Sequence, residues 1–362
     1  MIWPEVKLCD VVEILDSMRI PVKASDRIEG PYPYYGANGQ QGTINDFIFD
    51  EPLILVAEDG GHFFDRSRPI AYRIEGKTWV NNHAHVLRCN SDMDISYLCH
   101  QLARYNVEPY LTGSTRAKLT KGALGRILIT KPPLDEQRKV AAILDKAHSI
   151  ERTSASIQKI RNDLLQSIFI SMFGDPGSNP MGWEKVKLNQ LCSFDKKSVK
   201  PENVLDGTNY LGLECIEKTT GNILDIMTVM NGELKSNKFW FDESHILYGK
   251  LRPYLNKVAL PCFDGICSTD IIPIQPILSE TNRAFISYIL KNKCFVSFAH
   301  ERSSGANLPR ISPKEVQSFL TIKPPLTLQN RFAEIVNIVK SIPDIKEMSS
   351  TNLFSITQEI FL

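Results

Sequence analysis

Two short loops in this chain combine glycine, hydroxyl and basic side chains, a mixture that suits contact with phosphate groups. Residues 113–121 (GSTRAKLTK) contain Arg116 and Lys118, and residues 303–312 (SSGANLPRIS) contain Arg310. Backbone N–H groups, hydroxyls and cations are common protein ligands of phosphate oxygens. A solvated surface loop has the same composition, so both interpretations stay open.

Three other segments interleave aromatic, amide and basic side chains. In residues 32–39 (YPYYGANG), 79–85 (WVNNHAH) and 248–257 (YGKLRPYLNK), the candidate contact residues are Tyr35, Asn38, Asn82, His83, Lys250, Arg252, Tyr254 and Asn256. Side chains of these types stack on bases and hydrogen-bond to base edges and phosphates. The first segment could equally be a turn, because Gly, Asn and Pro are typical turn residues.

Asn81, His83 and His85 alternate along the chain, so we expect them on one side of a strand. Two histidines at this spacing are compatible with a metal ion. A third ligand is not evident, however, and a polar surface is the preferred interpretation. The sequence therefore predicts no metal site.

A second group, Glu58 and Asp59 with Asp65 and Lys77, resembles the carboxylates and lysine of a metal-dependent nuclease. Carboxylates at strand ends are common, so the match is weak. No Ser-His-Asp or Cys-His order, Walker loop or methyltransferase glycine motif is present, and we expect no catalytic residues. The eight cysteines are scattered along the chain and are expected to be reduced thiols.

These segments lie within a unit that occurs twice in the chain and consists of a globule followed by a long helix. Residues 131–134 (KPPL) return unchanged at 323–326, an offset of 192 that persists to the end of the chain. Prolines disfavour helix before them, and Asp135 and Glu136 suit the positive end of a helix dipole, so a helix is expected to start here. A helix from this start to Phe169 would be roughly 55 Å long.

Apolar residues follow this helix at alternating steps of four and three, the spacing of a coiled-coil seam. The predicted seam residues of the two copies are Ile143, Ile150, Ile157, Leu164, Ile335, Ile342, Leu353 and Ile356. Each stripe needs a partner, so we expect the two helices to pack against each other. Pro343 lies inside the second copy, where it should kink or break the helix.

The remaining segments predict two globules of mixed helices and strands. Strands are expected at 53–57, 70–74, 85–89 and 126–129, and again at 245–247, 257–260, 270–274 and 319–322. One helix interrupts each set of strands. In the first globule it begins near Ile95, and in the second it spans 282–299. The expected boundaries are 1–130 for the first globule, 131–175 for the first helix, 176–322 for the second globule and 323–362 for the second helix.

The composition is that of a soluble protein, with 43% hydrophobic and 23% charged residues and a net charge of +1. No apolar run reaches the roughly 18 residues that a membrane span needs, and the first residues lack the features of a signal peptide. We therefore expect a cytoplasmic protein. The near-zero charge excludes little, because a nucleic-acid binder can confine its basic residues to one face.

Taken together, these motifs resemble the specificity subunit of type I restriction-modification systems. The resemblance covers essentially the whole chain. It is carried by residues 34–39 (YYGANG), 79–87 (WVNNHAHVL), 133–138 (PLDEQR) with 173–175 (FGD), 248–257 (YGKLRPYLNK) and 265–270 (GICSTD). The combination is specific although no single motif is, and the second copy lacks a counterpart of FGD.

The resemblance implies an α+β fold in which two target-recognition domains are separated by two long helices, packed as an antiparallel coiled coil with a pseudo-two-fold axis. Each domain would read one half of a split DNA site, and the helices would space the domains and dock methyltransferase subunits. Methylation, translocation and cleavage would belong to partner methyltransferase and restriction subunits. S-adenosylmethionine, Mg²⁺ and ATP would accordingly be used by the complex and not bound by this chain.

On this interpretation the chain is a non-catalytic DNA-recognition subunit. The expected DNA contacts are Tyr35, Asn38, Asn82, His83, Arg116, Lys118, Lys250, Arg252, Tyr254, Asn256, Thr269 and Arg310. The alternatives are a metal-dependent DNA endonuclease that uses Glu58 and Asp59, and a scaffold that binds only protein.

Overall fold

The computed structural model describes residues 3–65, 68–113, 116–194, 196–305 and 307–343. The chain forms two compact units, the first of which runs to Ser154 while the second covers Ala155–Asp344. Both units mix helices with mostly antiparallel sheets, so the predicted α+β class is confirmed. In the described ranges we find no helix with the length and apolar character of a membrane span.

The first unit contains ten strands, two short helices and the start of a long one. In chain order they are β1 (Glu5–Lys7), β2 (Val12–Ile14), β3 (Tyr32–Gly36), β4 (Gly39–Ile44), β5 (Phe49–Asp50), β6 (Leu53–Ala57), β7 (Ala71–Ile74), β8 (Lys77–Val80), β9 (Ala84–Cys89), α1 (Ile95–Ala103), α2 (Lys121–Gly125), β10 (Leu128–Thr130) and α3 (Leu134–Phe173).

The second unit begins within α3 and repeats this plan. Its further elements are β11 (Glu184–Lys187), α4 (Leu188–Leu191), β12 (Cys192–Ser193), β13 (Ser198–Val199), β14 (Thr208–Leu211), β15 (Met227–Val229), β16 (Lys238–Phe241), β17 (Ile246–Gly249), β18 (Val258–Ala259), β19 (Gly265–Cys267), β20 (Ile271–Pro276), α5 (Arg283–Lys291), α6 (Lys293–Glu301), α7 (Pro313–Ser318), β21 (Leu320–Lys323) and α8 (Leu326–Ser341).

The sheets of the two units have matching strand orders. The order β2-β9-β6-β7 in the first unit corresponds to β12-β20-β17-β18 in the second, and the pair β1-β10 corresponds to β11-β21. The other sheet is β4-β3-β8-β5 in the first unit and β15-β14-β19-β16-β13 in the second, with one parallel pair in each. The extra strand β13 lies early in the second copy.

The central strand of each unit is buried on both faces. In β6, Ile54 and Val56 face a core shared with α1 and α2, while Leu53 and Leu55 face a core shared with β8. Successive side chains of a strand point to opposite faces, so a strand between two cores must be apolar throughout. This explains the unbroken run LILVA at 53–57, which the sequence predicts as a strand.

Helix α3 begins after the predicted proline start and extends four residues beyond Phe169. Its start follows Pro133, and its last residue is Phe173, followed by Gly174 in the left-handed region at φ 75°. The amide of Gly174 donates to the carbonyl of Ile170 over 2.8 Å, which satisfies a carbonyl of the last turn. A continuous helix of 40 residues is about 60 Å long.

The buried side of α3 differs from the predicted seam at both of its ends. Ile143 and Leu164 are 55% and 48% exposed, whereas the adjacent Leu144 and Leu165 are buried. The predicted seam follows a repeat of 3.5 residues, and a straight helix of 3.6 residues per turn drifts away from it. Ile150 and Ile157 are half-buried, as is Ile335 on α8.

Near its end, α3 packs against α8 through an aromatic cluster within the second unit. Phe169 and Phe173 are fully buried and lie 5.4 Å and 5.6 Å, between ring centroids, from Phe332 of α8. Helix α8 ends at Ser341, two residues before Pro343, in accordance with the predicted break. Ile342 is 52% exposed, and Leu353 and Ile356 lie outside the described residues.

A buried glutamine anchors the start of each long helix. The Gln137 side chain donates to the carbonyl of Pro132 over 2.8 Å and accepts from the amide of Asp94 over 2.8 Å. Gln329 donates to the carbonyl of Pro324 over 2.8 Å and accepts from the Thr281 hydroxyl over 2.7 Å. The repeated proline and glutamine positions therefore fasten each long helix to its own globule.

Two local predictions were wrong. Asn81 and His83 do not share a strand with His85, because a turn at 81–83 separates β8 from β9. The segment predicted as one helix at 282–299 is two helices, α5 and α6, which meet at Asn292. The Asn292 side chain accepts from the amide of Cys294 and so caps the second helix.

Candidate nucleic-acid interface

In the first unit, the loop at 112–118 is closed by its own backbone and fastened to the end of β6. Thr112 and Lys118 exchange two amide-to-carbonyl hydrogen bonds of 2.9 Å and 2.8 Å. The amide of Leu119 then donates to the carbonyl of Glu58 over 2.8 Å. Four backbone groups of the loop are thereby satisfied, and the bond of the adjacent Leu119 holds Lys118 at a defined place beside the sheet.

The second unit has the same arrangement at an offset of 192. Ser304 and Arg310 exchange hydrogen bonds of 3.0 Å and 2.8 Å, and the amide of Ile311 donates to the carbonyl of Lys250 over 3.1 Å. Lys118 and Arg310 thus occupy equivalent positions, as do Glu58 and Lys250. We call these two loops, residues 112–118 and 304–310, the clipped loops.

Each basic residue of the first clipped loop is paired with a carboxylate. Lys118 Nζ lies 2.9 Å from Glu58 Oε1, and Arg116 donates to Asp59 Oδ1 over 2.8 Å. The same Asp59 oxygen lies 2.7 Å from His83 Nδ1. The hydrogen bond from Lys118 to Glu58 raises the pKa of Lys118. Sequence reasoning placed Arg116, Lys118 and His83 at one site, and the structure brings them together around two carboxylates.

A more deeply buried charge network lies behind these pairs. His85 is 1% exposed and bonds through Nδ1 to Asp16 over 2.6 Å and through Nε2 to the carbonyl of Leu119 over 2.7 Å. Arg19 donates to Glu58 over 2.7 Å and to the carbonyl of Ala84 over 2.6 Å. Burial opposes ionisation of Asp16, yet its hydrogen bond with His85 holds its pKa below the ordinary value.

The same network is the part of the described chain that comes nearest to a metal site. Ligand atoms of Asp16, Glu58 and His85 lie within 4.8 Å of one another. The Arg19 guanidinium and the Lys118 ammonium are already 2.7 Å and 2.9 Å from Glu58. A divalent cation would have to displace or oppose both cations, so this donor set does not suit one. Asp65 and Lys77 do not join it, because Asp65 pairs with Arg68 and Lys77 lies over the ring of Phe47.

In the second unit, one carboxylate serves both basic residues of the equivalent site. Asp270 lies 3.1 Å from Arg310 Nε and 3.8 Å from Lys250 Nζ. Strand pairing makes Asp270 equivalent to His83 of the first unit. His83 precedes Ala84, which pairs with the last residue of β6, and Asp270 precedes Ile271, which pairs with the last residue of β17. The two units therefore present different charges at matching points of one backbone framework.

The other predicted contacts of the first unit differ in exposure. Asn38 is exposed and donates to the carbonyl of Gly60 over 2.9 Å, and Asn82 is exposed in the turn after β8. Tyr35 is half-buried, with its ring 6.0 Å from that of Tyr72. Of these three side chains, Tyr35 is the one that the core uses for packing.

In the second unit, the segment after Lys250 is a tight turn. Arg252 and Asn256 have φ of 51° and 49°, in the left-handed region that such residues seldom adopt. Arg252 and Thr269 are exposed, and Tyr254 is 49% exposed. Asn256 instead turns inward and donates to the carbonyl of Lys291 over 3.0 Å, so its amide fixes the turn.

Sequence reasoning missed a polar cavity of about 380 Å³ beside the first clipped loop. Its lining includes Arg27, Tyr34, Gln41 and Asn81, together with the predicted His83. Arg27 and Gln41 stand in loops or strands of ordinary composition, and no motif distinguishes them. The one sequence signal is that Asn81 belongs to the same polar segment as Asn82 and His83.

Comparisons with known proteins agree with the repeated architecture. Residues 2–164 match the family described as the type I restriction modification DNA specificity domain. The chain is 24% identical over 387 residues to the EcoDI type I restriction enzyme specificity subunit of Escherichia coli, covering 97% of this chain and 84% of that one. Residues 2–164 thus match a type I DNA specificity domain, and the chain as a whole is similar to type I restriction-modification specificity subunits.

Two further matches extend this result. A Haemophilus influenzae protein, provisionally named a type I specificity subunit, is 39% identical over 141 residues, which span 38% of this chain and 35% of that protein. The crystal structure of a type I S subunit from M. genitalium has the same fold, with a TM-score of 0.66, 16% identity and coverage of 99% of this chain and 96% of that one. Specificity subunits are non-catalytic members of restriction-modification complexes.

Proposed function

We propose that this chain is the DNA-recognition subunit of a type I restriction-modification complex and reads a split target with its two recognition domains. The observation that carries the proposal is the pair of clipped loops. They place Lys118 and Arg310 at equivalent points of two repeated domains, and each is accompanied by further basic or amide side chains. A repeated reader in one chain suits a duplex target that contains two half-sites.

In this proposal the contacts to DNA come from exposed or half-buried side chains of the two domains. These are Asn38, Asn82, His83, Arg116 and Lys118 in the first domain and Lys250, Arg252, Tyr254, Thr269 and Arg310 in the second. Tyr35 and Asn256 would contribute less, because packing or a backbone hydrogen bond already engages them. Arginine and amide side chains read base edges, while lysine and hydroxyl groups contact phosphate.

The long helices would space the two readers and dock methyltransferase subunits. Support comes from α3, a continuous helix of 40 residues, which leaves Ile143, Ile160 and Leu164 48–64% exposed. Apolar side chains on a long helix commonly mark a protein contact. S-adenosylmethionine, Mg²⁺ and ATP would act on the methyltransferase and restriction subunits, so this chain would contribute sequence choice and geometry and no chemistry of its own.

The test is a footprint of the full-length chain, assembled with methyltransferase subunits, on DNA from a random-sequence selection. We expect two protected patches with a tolerant gap, and an affinity that falls steeply as salt rises. One continuous patch would contradict a split target. An absence of sequence preference would favour a protein-only scaffold, and metal-dependent cleavage by the chain alone, lost in Glu58→Ala, would favour the endonuclease alternative.

A further inference from the structure

The cavity of about 380 Å³ beside the first clipped loop is lined by hydrogen-bond donors and by no carboxylate. Its polar lining residues are Lys23, Arg27, Tyr34, Gln41, Asn81, Asn82 and His83. Of these residues His83 is bonded to Asp59, as Arg116 is, whereas Arg27 and Gln41 have no carboxylate partner within the described residues. A cavity of this kind suits a ligand that offers acceptors.

Arg27 is held flat over a buried aromatic ring, and most of its donors are unused. Its guanidinium carbon lies 3.7 Å from the centroid of the Tyr34 ring, and Tyr34 is 1% exposed. Within the described ranges its one hydrogen bond is a long contact of 3.4 Å from NH1 to the carbonyl of Gln41. Its Nε is buried and has no partner there. A stacked guanidinium with free donors is preorganised for a planar acceptor edge.

A chain of hydrogen bonds orients the side-chain amide of Gln41 and leaves its NH₂ group without a partner among the described residues. The amide of His83 donates to Asn81 Oδ1 over 2.8 Å, so the other amide atom of Asn81 is its NH₂ group. Asn81 Nδ2 then donates to Gln41 Oε1 over 3.1 Å. Gln41 Nε2 has no hydrogen-bond partner within the described ranges, and Gln41 and Arg27 line the same cavity.

We infer that this cavity reads a guanine of the first half-site through Arg27 and Gln41, an assignment that rests on the proposed function. In the major groove guanine alone offers two adjacent acceptors, N7 and O6, whereas adenine pairs an acceptor with a donor and cytosine offers a donor. A site with two sets of donors and no acceptor between them matches guanine. Arg27 and Gln41 are therefore specificity-determining residues of the first domain.

The experiment is a selection from a random duplex library with the full-length chain, alone and with type I methyltransferase subunits, followed by affinity measurements on the selected site. We expect a fixed G·C pair in the first half-site. Arg27→Ala should reduce discrimination at that pair about tenfold or more and leave the second half-site unchanged. Replacing that guanine by 7-deazaguanine should weaken wild-type binding and leave Arg27→Ala unaffected.

Two variants separate base reading from a plain phosphate contact. Arg27→Lys keeps the charge but loses the planar fork, so discrimination should fall while the salt dependence stays. Gly36→Ala should act like a mild Gln41→Ala, because an added Cβ would lie 2.3 Å from Gln41 Nε2. If Arg27→Ala does not fold, as judged by thermal melting, Gln41→Ala provides the same test and leaves the stacking of Arg27 on Tyr34 intact.

Each result has a distinct meaning. A wild-type chain without a two-part sequence preference would overturn the proposed function itself. A two-part preference whose first half does not change in Arg27→Ala and Gln41→Ala would overturn only the guanine assignment. Uniform weakening on all sequences, with Arg27→Lys equal to wild type, would also overturn it and make the cavity a phosphate site.

Discussion

At the scale of single residues, Gln137 has a larger structural role than its chemistry suggests. It is fully buried, and its amide joins the start of α3 to the segment before α1 through Pro132, Asp92 and Asp94. Gln137→Ala would leave these buried backbone groups without partners, so we expect the free energy of unfolding to fall by roughly 2–4 kcal/mol. Chemical denaturation of the full chain measures this change.

The control for Gln137 is the next residue. The side chain of Arg138 is 62% exposed and lies 3.8 Å from Asp135, a weak surface pair. Arg138→Ala should therefore change stability by less than about 0.5 kcal/mol. Equal losses in the two variants would show that the buried amide of Gln137 does not control the stability of the start of α3.

We predict that Asp270 weakens the affinity of the second domain for DNA. It lies within 3.1 Å of Arg310 and 3.8 Å of Lys250, and its charge opposes that of phosphate. Asp270→Asn should raise affinity for DNA about threefold to tenfold on all sequences and steepen the salt dependence, because two cations are released. Fluorescence anisotropy over a salt series measures both effects.

Asp264→Asn is the matched control, since Asp264 is exposed and takes part in no ion pair that the structure describes. It removes the same charge from the same domain and should change affinity little. A loss of affinity in Asp270→Asn, comparable to that in Arg310→Ala, would contradict the prediction and indicate that Asp270 itself contacts a base.

The sequence could identify some of these residues and not others for a physical reason. Lys118 and Arg310 were proposed from the sequence because each clipped loop mixes glycine, hydroxyl and basic residues and the two loops recur at one offset. Arg27 and Gln41 were missed because their importance comes from what is absent around them: partners for their donors. Whether a donor is free depends on tertiary contacts, which local composition does not report.

At the scale of elements, the contact between α1 and α3 contains two stacked histidines. The rings of His100 and His148 lie 5.0 Å apart and nearly parallel, and His100 Nε2 is 2.7 Å from Asp145. Burial, and then the charge of His100, lowers the pKa of His148, although Glu151 opposes this shift. The unfolded chain therefore binds a proton at His148 more readily than the folded chain does.

The lowered pKa of His148 determines the sign of the pH dependence of stability. Stability should fall as the pH drops below about 6.5, the ordinary value for this side chain. Asp16 and Glu58 have lowered pKa values and ordinary values of 3.8 and 4.5, so their contribution is lost only in more acidic solution. We expect the melting temperature of wild type to fall between pH 7.5 and 5.5 and that of His148→Phe to fall less, so the two values converge on the acid side.

His300→Phe provides a control, because His300 is exposed on α6 in the second unit. It should retain the wild-type response to pH. If His148→Phe retains that response as well, the stacked pair is not its source.

Elements were predicted unevenly. The helix start at KPPL and the strand at 53–57 were predictable, because prolines and an unbroken apolar run act locally. The strands of the sheet that contains β3, β4 and β8 were not predicted. Residues such as Gly39 and Gln40 have low strand propensity and are extended because they pair with Gly36 and Tyr35 in a hairpin, while β3 also pairs with the distant β8.

At the scale of the whole molecule, the proposed spacer should act as a ruler between two half-sites. Helix α3 and the described part of α8 begin with the same anchored motif, so a seven-residue insertion can be placed identically in both. Equivalent points are Ala147 and Val339, which share the offset of 192. One heptad lengthens a helix by about 10 Å and nearly preserves its face, and about 10 Å corresponds to about three base pairs of DNA.

The matched insertion after Ala147 and Val339 should therefore widen the unread gap by about three base pairs while both half-site sequences stay the same. An insertion in α3 alone should lower stability or abolish sequence preference, because the two helices would no longer pair in register. Selection from a random duplex library, or mapping of methylated adenines in the assembled complex, measures the gap. A matched variant that folds, binds and keeps the original gap would mean that something other than helix length sets the distance between the readers.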